Sequence, residues 1–274
     1  MHAGARPISV RETPGAIRYT VASLVVDHDH YREMLGSFRA AGFDALDCEF
    51  IYLDNSLANG HSAFSGLNRL IGEARGDFVI LCHQDVRFLA DRRADLDRRL
   101  AELERLDPAW ALAGNAGGTA PGQLALRISD PHGRDRRVGT LPAAVASLDE
   151  NFIVLRRAAN LGFSHDLDGF HFYGADICLA ADIMGYSAYV IDFHLEHLSQ
   201  GNVSPAFHDC ERRFRAKWAR ALRGRWLQTT CALVFVSGDR IANAVGGASQ
   251  GMAARITKRL PRARGFTPAS GRQP

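Results

Sequence analysis

The sequence predicts an α/β fold with a mostly parallel central sheet flanked by helices, and two observations support this prediction. Three apolar, β-rich segments alternate with three helical patterns over roughly the first hundred residues. Strands that alternate with helices in this way form parallel sheets that the helices cover. Each of the three predicted strands also ends in a polar cluster that contains an aspartate, and such sheets bind ligands beyond the carboxyl ends of their strands.

Hydrophobic periodicity places the alternating elements along the chain. They are a strand over 19–26, a helix over 31–41, a strand over 48–53, a helix over 62–74, a strand over 78–82 and a helix over 91–106. Gly42 marks the end of the first helix, and Ser62 is the predicted N-cap of the second. The third helix is expected to bury one face, formed by Leu96, Leu100, Leu103 and Leu106.

The second half of the chain is less regular. Residues 110–147 are rich in glycine and proline, and we expect short antiparallel strands there at 124–128 and 137–140. The later predicted elements are a strand over 151–156, a helix over 175–184, a strand over 188–191 and a basic amphipathic helix over 206–222. After about Arg225 the pattern weakens, and we expect about the last 15 residues to be disordered.

Composition narrows the class of protein. Hydrophobic residues make up 46% of the 274 residues and charged residues 23%, which is typical of a large globular domain and argues against disorder throughout. The net charge of +3 does not indicate a dedicated nucleic-acid-binding protein. The five cysteines form no Cys-x-x-Cys pair, which is typical of reduced cytoplasmic proteins rather than of zinc or disulfide frameworks. Because the N-terminus has no apolar segment of the signal-peptide kind, we expect a cytoplasmic protein.

The polar residues after the third strand, His83, Gln84 and Asp85, form the first candidate site. A carboxylate at this place can bind Mg²⁺ or Mn²⁺, which prefer oxygen ligands, but it can equally cap the following loop. His197 lies in a histidine-rich segment after the last predicted strand and is a candidate second ligand. The residues alone give equal weight to a hydrogen-bonded loop histidine.

Two further clusters have a functional and an ordinary interpretation. Asp54, Asn55 and Ser56 end the second strand, where an aspartate can accept hydrogen bonds from ribose hydroxyls or a base. The residues alone favour a turn. The segment FHFYGAD places Asp176 in the first turn of a predicted helix, where the helix dipole favours any carboxylate, so a structural role is the simpler interpretation.

The order of these strings resembles a known family. The matching pieces are FIYLDNS over 50–56, EARGDFVILCHQDVRF over 73–88, SLDENFIVLRR over 147–157, the stretch over 163–202 that contains FHFYGAD, and FRAKW over 214–218. They resemble glycosyltransferase family 2, which has the GT-A fold of nucleotide-diphospho-sugar transferases, and more narrowly the subgroup typified by the streptomycin biosynthesis protein StrF. The resemblance covers roughly residues 20–220, and HQDV and FHFYGAD are its most specific strings.

The resemblance implies a donor side and a metal site. It implies that Asp54 contacts the nucleoside of the donor, and that the other donor-binding residues are Asn55, Ser56, Asn68, His83 and Gln84. Asp85 matches the metal-binding carboxylate of the family's Asp-x-Asp motif, and His197 matches a late histidine that can complete the metal site. Because His83 stands at the first position, the motif here is His-x-Asp.

The resemblance also implies a general base and an acceptor side. Many relatives carry a Glu-Asp pair just before the helix, where this chain has Tyr173 and Gly174. The nearest carboxylate, Asp176, is therefore expected to be the base, with Asp168 in reserve. The expected acceptor-binding residues are Asp149, Glu150, His171 and Tyr173.

The implied activity is the transfer of a sugar, with inversion, from a UDP-, GDP- or dTDP-sugar to a hydroxyl of a glycan, a lipid-linked acceptor or a small molecule. The implied cofactor is Mn²⁺ or Mg²⁺, and the implied setting is bacterial glycan or glycosylated-metabolite biosynthesis. Two alternatives stay open. One is a nucleotidyltransferase on a similar fold, although no Gly-rich phosphate loop follows the first strand. The other is a non-catalytic nucleotide- or sugar-binding module, because the first carboxylate and the Glu-Asp pair are missing.

The expected domains follow from the extent of the resemblance. They are a flexible N-terminal segment over 1–17, a glycosyltransferase domain over 18–224 and a C-terminal extension over 225–274. Within the middle domain we expect a nucleotide-sugar-binding half over 18–115 and an acceptor half over 116–224. No nucleic-acid partner is expected. The basic helix over 206–224 is compatible with a peripheral membrane contact, although packing on its own domain explains its pattern more simply.

Overall fold

The computed structural model of the chain describes residues 17–43, 46–57, 60–199, 201, 203–228, 230 and 232–257. The chain divides into two compact units, and the division falls between Phe214 and Arg215. Except for Ile17, the predicted flexible segment over 1–17 lies outside the described residues, and so does the predicted disorder at the end of the chain.

Six α-helices are present among the described residues: α1 (His28–Ala40), α2 (Ala63–Glu73), α3 (Arg93–Leu106), α4 (Tyr173–Ile183), α5 (Pro205–Leu222) and α6 (Arg240–Thr257). The Asp27 side chain caps α1 by accepting hydrogen bonds from the N–H groups of Asp29 and His30. The prediction that Ser62 caps α2 is confirmed, because its side chain accepts a hydrogen bond from the N–H of Ser65.

The described strands form two larger sheets and a hairpin. They are β1 (Tyr19–Val25), β2 (Cys48–Asp54), β3 (Phe78–Cys82), β4 (Val86–Phe88), β5 (Trp110–Gly114), β6 (Ala116–Ala120), β7 (Gln123–Asp130), β8 (Gly133–Val138), β9 (Ala143–Ala144), β10 (Ser147–Leu148), β11 (Phe152–Arg156), β12 (Ser187–Val190), β13 (Leu195–His197), β14 (Arg225–Gln228) and β15 (Leu233–Val236). The first sheet has the order β2-β1-β3-β11-β5-β12-β9, and the second has the order β10-β6-β7-β13-β4 with β8 beside β7. The hairpin pairs β14 with β15.

The first sheet confirms the predicted α/β fold with mostly parallel strands. β1 pairs in parallel with both β2 and β3, and β12 pairs in parallel with β5. The important exception is β11, which runs antiparallel between β3 and β5. An antiparallel strand starts where its neighbours end, so the residues just before β11 lie at the carboxyl ends of the parallel strands.

The second sheet brings β13 to the carboxyl ends of the parallel strands of the first sheet. β13 pairs antiparallel with β4, in a register that sets His197 opposite Val86. Since β4 begins directly after Asp85, this register brings His197 next to Asp85, which is far away in sequence. The pairing of two three-residue strands therefore decides which side chains share the end of β3.

Helices cover both faces of the first sheet and bury its core. On one side α2 and α4 bury apolar residues such as Phe64 and Ile177, and on the other side α1 and α3 bury residues such as Met34 and Leu96. The prediction that Leu106 is buried is wrong: it is 59% exposed, because it is the last residue of α3, where the helix ends. The glycine-rich middle region also contains a fully buried strand, β5, where only short antiparallel strands were predicted.

The second unit contains regular elements where the sequence pattern weakens. After α5 the chain forms the β14-β15 hairpin, and α6 follows. A Cβ atom at Gly246 of α6 would lie 2.1 Å from the Phe235 ring, so only glycine lets the helix lie this close to β15. Among the described helices, none combines the length and the apolarity that a membrane span requires.

Candidate active site

A cavity of about 260 Å³ opens at the carboxyl ends of β1 and β3. A second cavity of about 570 Å³ shares His83, Glu150, Phe170 and Ser199 with the first. The residues that line the first cavity come from the ends of the parallel strands, the segment before β11 and the start of α4; they include Val26, Asn55, Cys82, His83, Gln84, Asp85, Glu150 and Tyr173. The cavities therefore lie at the strand ends, where the sequence predicts the ligand.

Three potential metal ligands meet at this edge of the sheet. The Nδ1 atom of His83 lies 3.2 Å from the Nε2 atom of His197, which lies 3.5 Å from Oδ1 of Asp85. One ligand atom from each residue lies within 4.8 Å of the other two. Imidazole nitrogens and a carboxylate oxygen at this spacing fit a single divalent transition-metal ion. The predicted ligands Asp85 and His197 are thus brought together, and His83 joins them as a third.

Local contacts favour the ionised form of Asp85 and the neutral form of His83. Burial opposes the ionisation of Asp85, but hydrogen bonds with His197 and Ser199 hold the pKa of this carboxyl well below its usual range. Burial, together with the neighbouring His197, lowers the pKa of His83. An ionised carboxylate and a neutral imidazole are the forms that bind metals.

Tyr173 connects the potential metal ligands to the segment before β11. Its hydroxyl lies 2.8 Å from Nε2 of His83 and donates a hydrogen bond to the backbone carbonyl of Glu150 at 3.1 Å. Burial raises the pKa of Tyr173 well above its usual value, so the hydroxyl keeps its proton. This hydroxyl therefore fixes the orientation of the His83 ring, as outer-sphere partners of metal-binding histidines do.

Glu150 is the carboxylic acid that lines both cavities. Its Oε1 atom accepts a hydrogen bond of 3.3 Å from the N–H of Gly174, at the start of α4. Burial, with a further contribution from the charge of Asp149, raises the pKa of Glu150 to about 8 in spite of this hydrogen bond. A carboxyl group with a pKa near neutrality is suited to general acid–base catalysis.

Gly174 explains why the carboxylate at the start of α4 is that of Glu150 and not that of a residue of α4. A Cβ atom at this position would lie 2.2 Å from the backbone oxygen of Leu148 and 3.2 Å from Cγ of Glu150. No side chain fits there, since α4 starts directly against β10. Glu150, which reaches the start of α4 from the segment before β11, occupies the space beside Gly174 instead.

Of the three predicted donor-binding residues at the end of β2, only one lines a cavity. Asp54 and Ser56 are exposed, line neither cavity, and are hydrogen-bonded to each other, with Asp54 Oδ1 accepting from Ser56 Oγ at 2.6 Å. Asn55 is buried and lines the first cavity. Its amide is engaged with the backbone of His61, at 2.8 Å and 3.0 Å, so it holds the loop after β2 in place.

The other predicted donor-side residues also make structural contacts. Gln84 lines the first cavity, and its Oε1 atom accepts hydrogen bonds from the N–H groups of Val26 and Asp27. Asn68 lines neither cavity. Its side-chain amide donates a hydrogen bond to the backbone oxygen of Phe163 at 2.9 Å and accepts one from the Phe163 N–H at 2.8 Å. Asn68 therefore joins α2 to the segment before α4 and is not placed to contact a ligand in either cavity.

The structure does not place the expected base, Asp176, in either cavity. Asp176 is fully buried, and its two carboxylate oxygens accept hydrogen bonds from the N–H and the hydroxyl of Ser164, both at 2.7 Å. A carboxylate that satisfies the start of a helix and a neighbouring loop in this way has a structural role. Asp168 is exposed and also lines neither cavity.

The expected acceptor-binding residues are divided between the two cavities, and Tyr173 lines only the first. Asp149 and His171 line the second cavity together with Glu150. Asp149 is exposed and accepts a hydrogen bond from the N–H of Asn151 at 3.0 Å. The His171 ring packs edge-on against Phe207, with the ring centroids 5.2 Å apart.

Sequence reasoning missed three features of this site. His83 was expected on the donor side rather than among the potential metal ligands, Glu150 was not considered as a base, and Ser199, which donates to Asp85, was given no role. The position of His83 directly after a buried strand was a usable signal. The other two depend on pairings of distant strands, for which the local sequence carries no signal.

One curated protein is clearly similar in sequence. The chain is 37% identical over 228 residues to the protein described as ATP synthase subunits region ORF 6 of Fuscovulum blasticum, and the match covers 81% of this chain and 92% of that protein. No protein-family model matches the chain.

Several solved structures have a distantly similar fold. The mannosyltransferase PcManGT from Pyrobaculum calidifontis, in complex with GDP-Man and Mn²⁺, is 15% identical with a TM-score of 0.47, over 76% of this chain and 68% of that one. S. aureus TarS 1–349 with UDP-GlcNAc is 13% identical with a TM-score of 0.46, over 73% and 65%. GalNAc-T7 with UDP, GalNAc and Mn²⁺ is 9% identical with a TM-score of 0.49, over 73% and 48%. At these identities and TM-scores the likeness does not bear on the reaction of this chain.

Proposed function

We propose that this chain, which belongs to the same family as the ORF 6 protein of the ATP synthase subunits region of Fuscovulum blasticum, is a metal-dependent glycosyltransferase. The observation that carries the proposal is the meeting of His83, Asp85, His197 and Glu150 in connected cavities. Such a site would hold a cation, which can neutralise a leaving diphosphate, beside a carboxylate that can take a proton from an acceptor. The resemblance of HQDV and FHFYGAD to glycosyltransferase family 2, and to its StrF-like subgroup, supports the same reaction.

His83, Asp85 and His197 are the residues that would hold the cation. Two imidazoles and one carboxylate favour Mn²⁺ over Mg²⁺, which prefers an all-oxygen environment. When bound, the cation supplies positive charge for the diphosphate of the donor. The chain's own contribution is to keep this ligand set ordered, through the hydroxyls of Tyr173 and Ser199.

The two cavities suit the two substrates. We assign the first cavity, at the ends of β1 and β3, to a UDP-, GDP- or dTDP-sugar, because ligands of parallel sheets bind at this edge. We assign the second cavity to the acceptor, since Asp149 and His171 line it and can bond sugar hydroxyls. The acceptor is then a hydroxyl of a glycan, a lipid-linked sugar or a small molecule, in bacterial glycan or glycosylated-metabolite biosynthesis.

Glu150 replaces Asp176 as the proposed general base. Its carboxylate takes the proton of the acceptor hydroxyl while the acceptor oxygen bonds to the anomeric carbon. The bond from that carbon to the diphosphate breaks at the same time, and the electron pair leaves with the diphosphate. A single displacement of this kind inverts the anomeric centre. The hydrogen bond from Gly174 holds Glu150 in place for this step.

The proposal is tested by the thermal stability of the protein with a panel of nucleoside diphosphates, with and without Mn²⁺. A ligand that binds only the folded state, at about 100 times its dissociation constant, adds about 2.7 kcal/mol of stability. We expect one diphosphate to raise the melting temperature only when Mn²⁺ is present, because Asp85 would help to hold the cation and its charge would attract the diphosphate. The Asp85→Ala variant should lose this rise.

The matched control is Asp182→Ala, which removes an exposed carboxylate of α4 that lines neither cavity. This variant should keep the full shift with Mn²⁺ and nucleotide. If no diphosphate stabilises the wild-type protein under either condition, the transferase proposal is wrong. A shift with a nucleoside triphosphate and a sugar phosphate, but with no diphosphate, would identify a nucleotidyltransferase instead.

A further inference from the structure

Charge is strongly segregated between the two units of the chain. Residues 215–274 contain twelve Lys and Arg residues and a single acidic residue, Asp239. Residues 1–214 contain 21 basic and 29 acidic residues. The small net charge of the whole chain therefore conceals an acidic unit that carries the candidate active site and a strongly basic unit after it. Such an asymmetry indicates an anionic partner for the basic part.

The basic unit also exposes large apolar side chains. Ile241 and Val245 are 77% and 64% exposed, and as residues i and i+4 of α6 they lie on the same side of the helix. In the hairpin, Trp226 and Leu227 of β14 are also exposed. Exposed cations lie close to these residues in sequence, with Arg223 before β14 and Arg240 at the start of α6.

We propose that residues 215–257, the described part of the basic unit, bind the surface of an anionic lipid bilayer, with the cations on the lipid phosphates and the exposed apolar side chains in the interface. A surface that combines Lys and Arg with Trp, Leu and Ile binds membranes in this way, because electrostatic attraction and apolar burial add. The lipid phosphates supply the negative charge that the unit lacks. Attachment of this kind lies on the bilayer surface and needs no spanning helix.

The exposed aliphatic residues favour a lipid surface over a nucleic acid. A nucleic acid offers phosphates to the cations and base faces to aromatic rings, but it has little use for exposed Ile and Val side chains. The acyl-chain boundary of a bilayer buries such side chains at a gain of about 25 cal/mol per Å² of apolar surface. Charge repulsion between two copies of so basic a unit also opposes self-association.

The test is the binding of the full chain to vesicles of phosphatidylcholine, with and without phosphatidylglycerol, at increasing salt. We expect binding only to the vesicles that contain phosphatidylglycerol, and weaker binding as salt screens the charges. Each cation near the surface contributes about a five-fold factor in the partition coefficient, so the Arg223→Gln, Arg240→Gln double variant should bind about 25-fold more weakly. The Ile241→Ser, Val245→Ser double variant should bind about ten-fold more weakly or worse.

Matched control variants make the same changes in the acidic unit. Arg69→Gln with Arg134→Gln removes two exposed cations, and Leu46→Ser with Leu57→Ser removes two apolar side chains that are 99% and 97% exposed. These variants should bind vesicles like the wild type. The melting temperature of each variant shows whether it is folded.

Three results of the binding assay would overturn the proposal. They are equal binding to both kinds of vesicle, an equal loss in the control variants, and tighter binding of a random-sequence DNA duplex than of anionic vesicles at the same salt concentration. A dimer that Ile241→Ser, Val245→Ser dissociates without any loss of vesicle binding would assign these side chains to a second copy and also overturn it. The assay contains neither nucleotide nor metal, so its outcome is independent of the proposed transferase activity.

Discussion

The two carboxyl groups nearest the start of α4 serve opposite purposes. Both oxygens of Asp176 bond Ser164 inside the protein, which leaves no access for a substrate. Glu150 accepts a hydrogen bond from the N–H of Gly174 and lines both cavities. Proximity in sequence to the family's usual base position favoured Asp176, but burial and hydrogen bonding favour Glu150.

The proposed base can be tested by Glu150→Gln. Loss of a general base typically lowers the rate about 10²- to 10⁴-fold, whereas binding of Mn²⁺ and nucleotide should change little because Glu150 is not among the potential metal ligands. Turnover and nucleotide affinity are measured on the same preparation. The control is Asp182→Asn, at an exposed position of α4 that lines neither cavity, and this variant should keep its turnover. Equal losses of turnover in both variants would argue against Glu150 as the base.

The raised pKa of Glu150 also predicts how the stability of the ligand-free protein changes with pH. The folded-state pKa of about 8 lies above the ordinary value of 4.5, so the folded state binds this proton more tightly than the unfolded state does. This contribution is fully present below about pH 4.5 and is lost as the pH rises through about 8. The melting temperature of the wild type should therefore fall by several degrees over this range relative to that of Glu150→Gln. Parallel curves for the two proteins would show that the pKa is not raised.

At the scale of elements, the site is assembled by strand direction. β11 runs against β3, and its first residues meet the end of β3, where the N–H of His83 donates to the carbonyl of Asn151 at 3.0 Å. This pairing brings Glu150 close to the potential metal ligands. The sequence predicts β11 as a strand over 151–156, in agreement with Phe152–Arg156, but its direction is a property of the assembled sheet.

The close packing at the start of α4 can be tested by a substitution of Gly174. Gly174→Ala places a Cβ atom against the Leu148 carbonyl and beside Glu150, so α4 or β10 must move. Overpacking of this kind costs about 1–3 kcal/mol of unfolding free energy, and the displaced Glu150 should lower turnover as well. Gly72→Ala in α2 is the control, because a Cβ there meets nothing within 4 Å and should stabilise the protein by about 0.4–1 kcal/mol. Chemical denaturation of both variants measures the difference, and a neutral Gly174→Ala would show that the start of α4 is not tightly packed.

At the scale of the whole molecule, two sheets and a charge asymmetry determine what the chain can do. The first sheet supplies the strand ends, and the second sheet brings His197 to Asp85 through the pairing of β13 with β4. The acidic and basic units then divide the proposed tasks, with nucleotide and acceptor chemistry in one and attachment to an anionic surface in the other. Net charge alone hides this division, because the excess of one unit nearly cancels that of the other.

The sequence by itself determined the α/β class, the first three strands and helices, the Ser62 cap and the two metal-ligand candidates Asp85 and His197. Each of these depends on hydrophobic periodicity, local capping or a short motif, and such signals act over a few residues. Only the tertiary structure decided that His83 joins the potential metal ligands, that Asn68 and Asp176 hold loops, and that Glu150 lies beside α4. Those outcomes depend on which distant strands pair and in which direction, and that is set by the burial of whole sheet faces rather than by any local pattern.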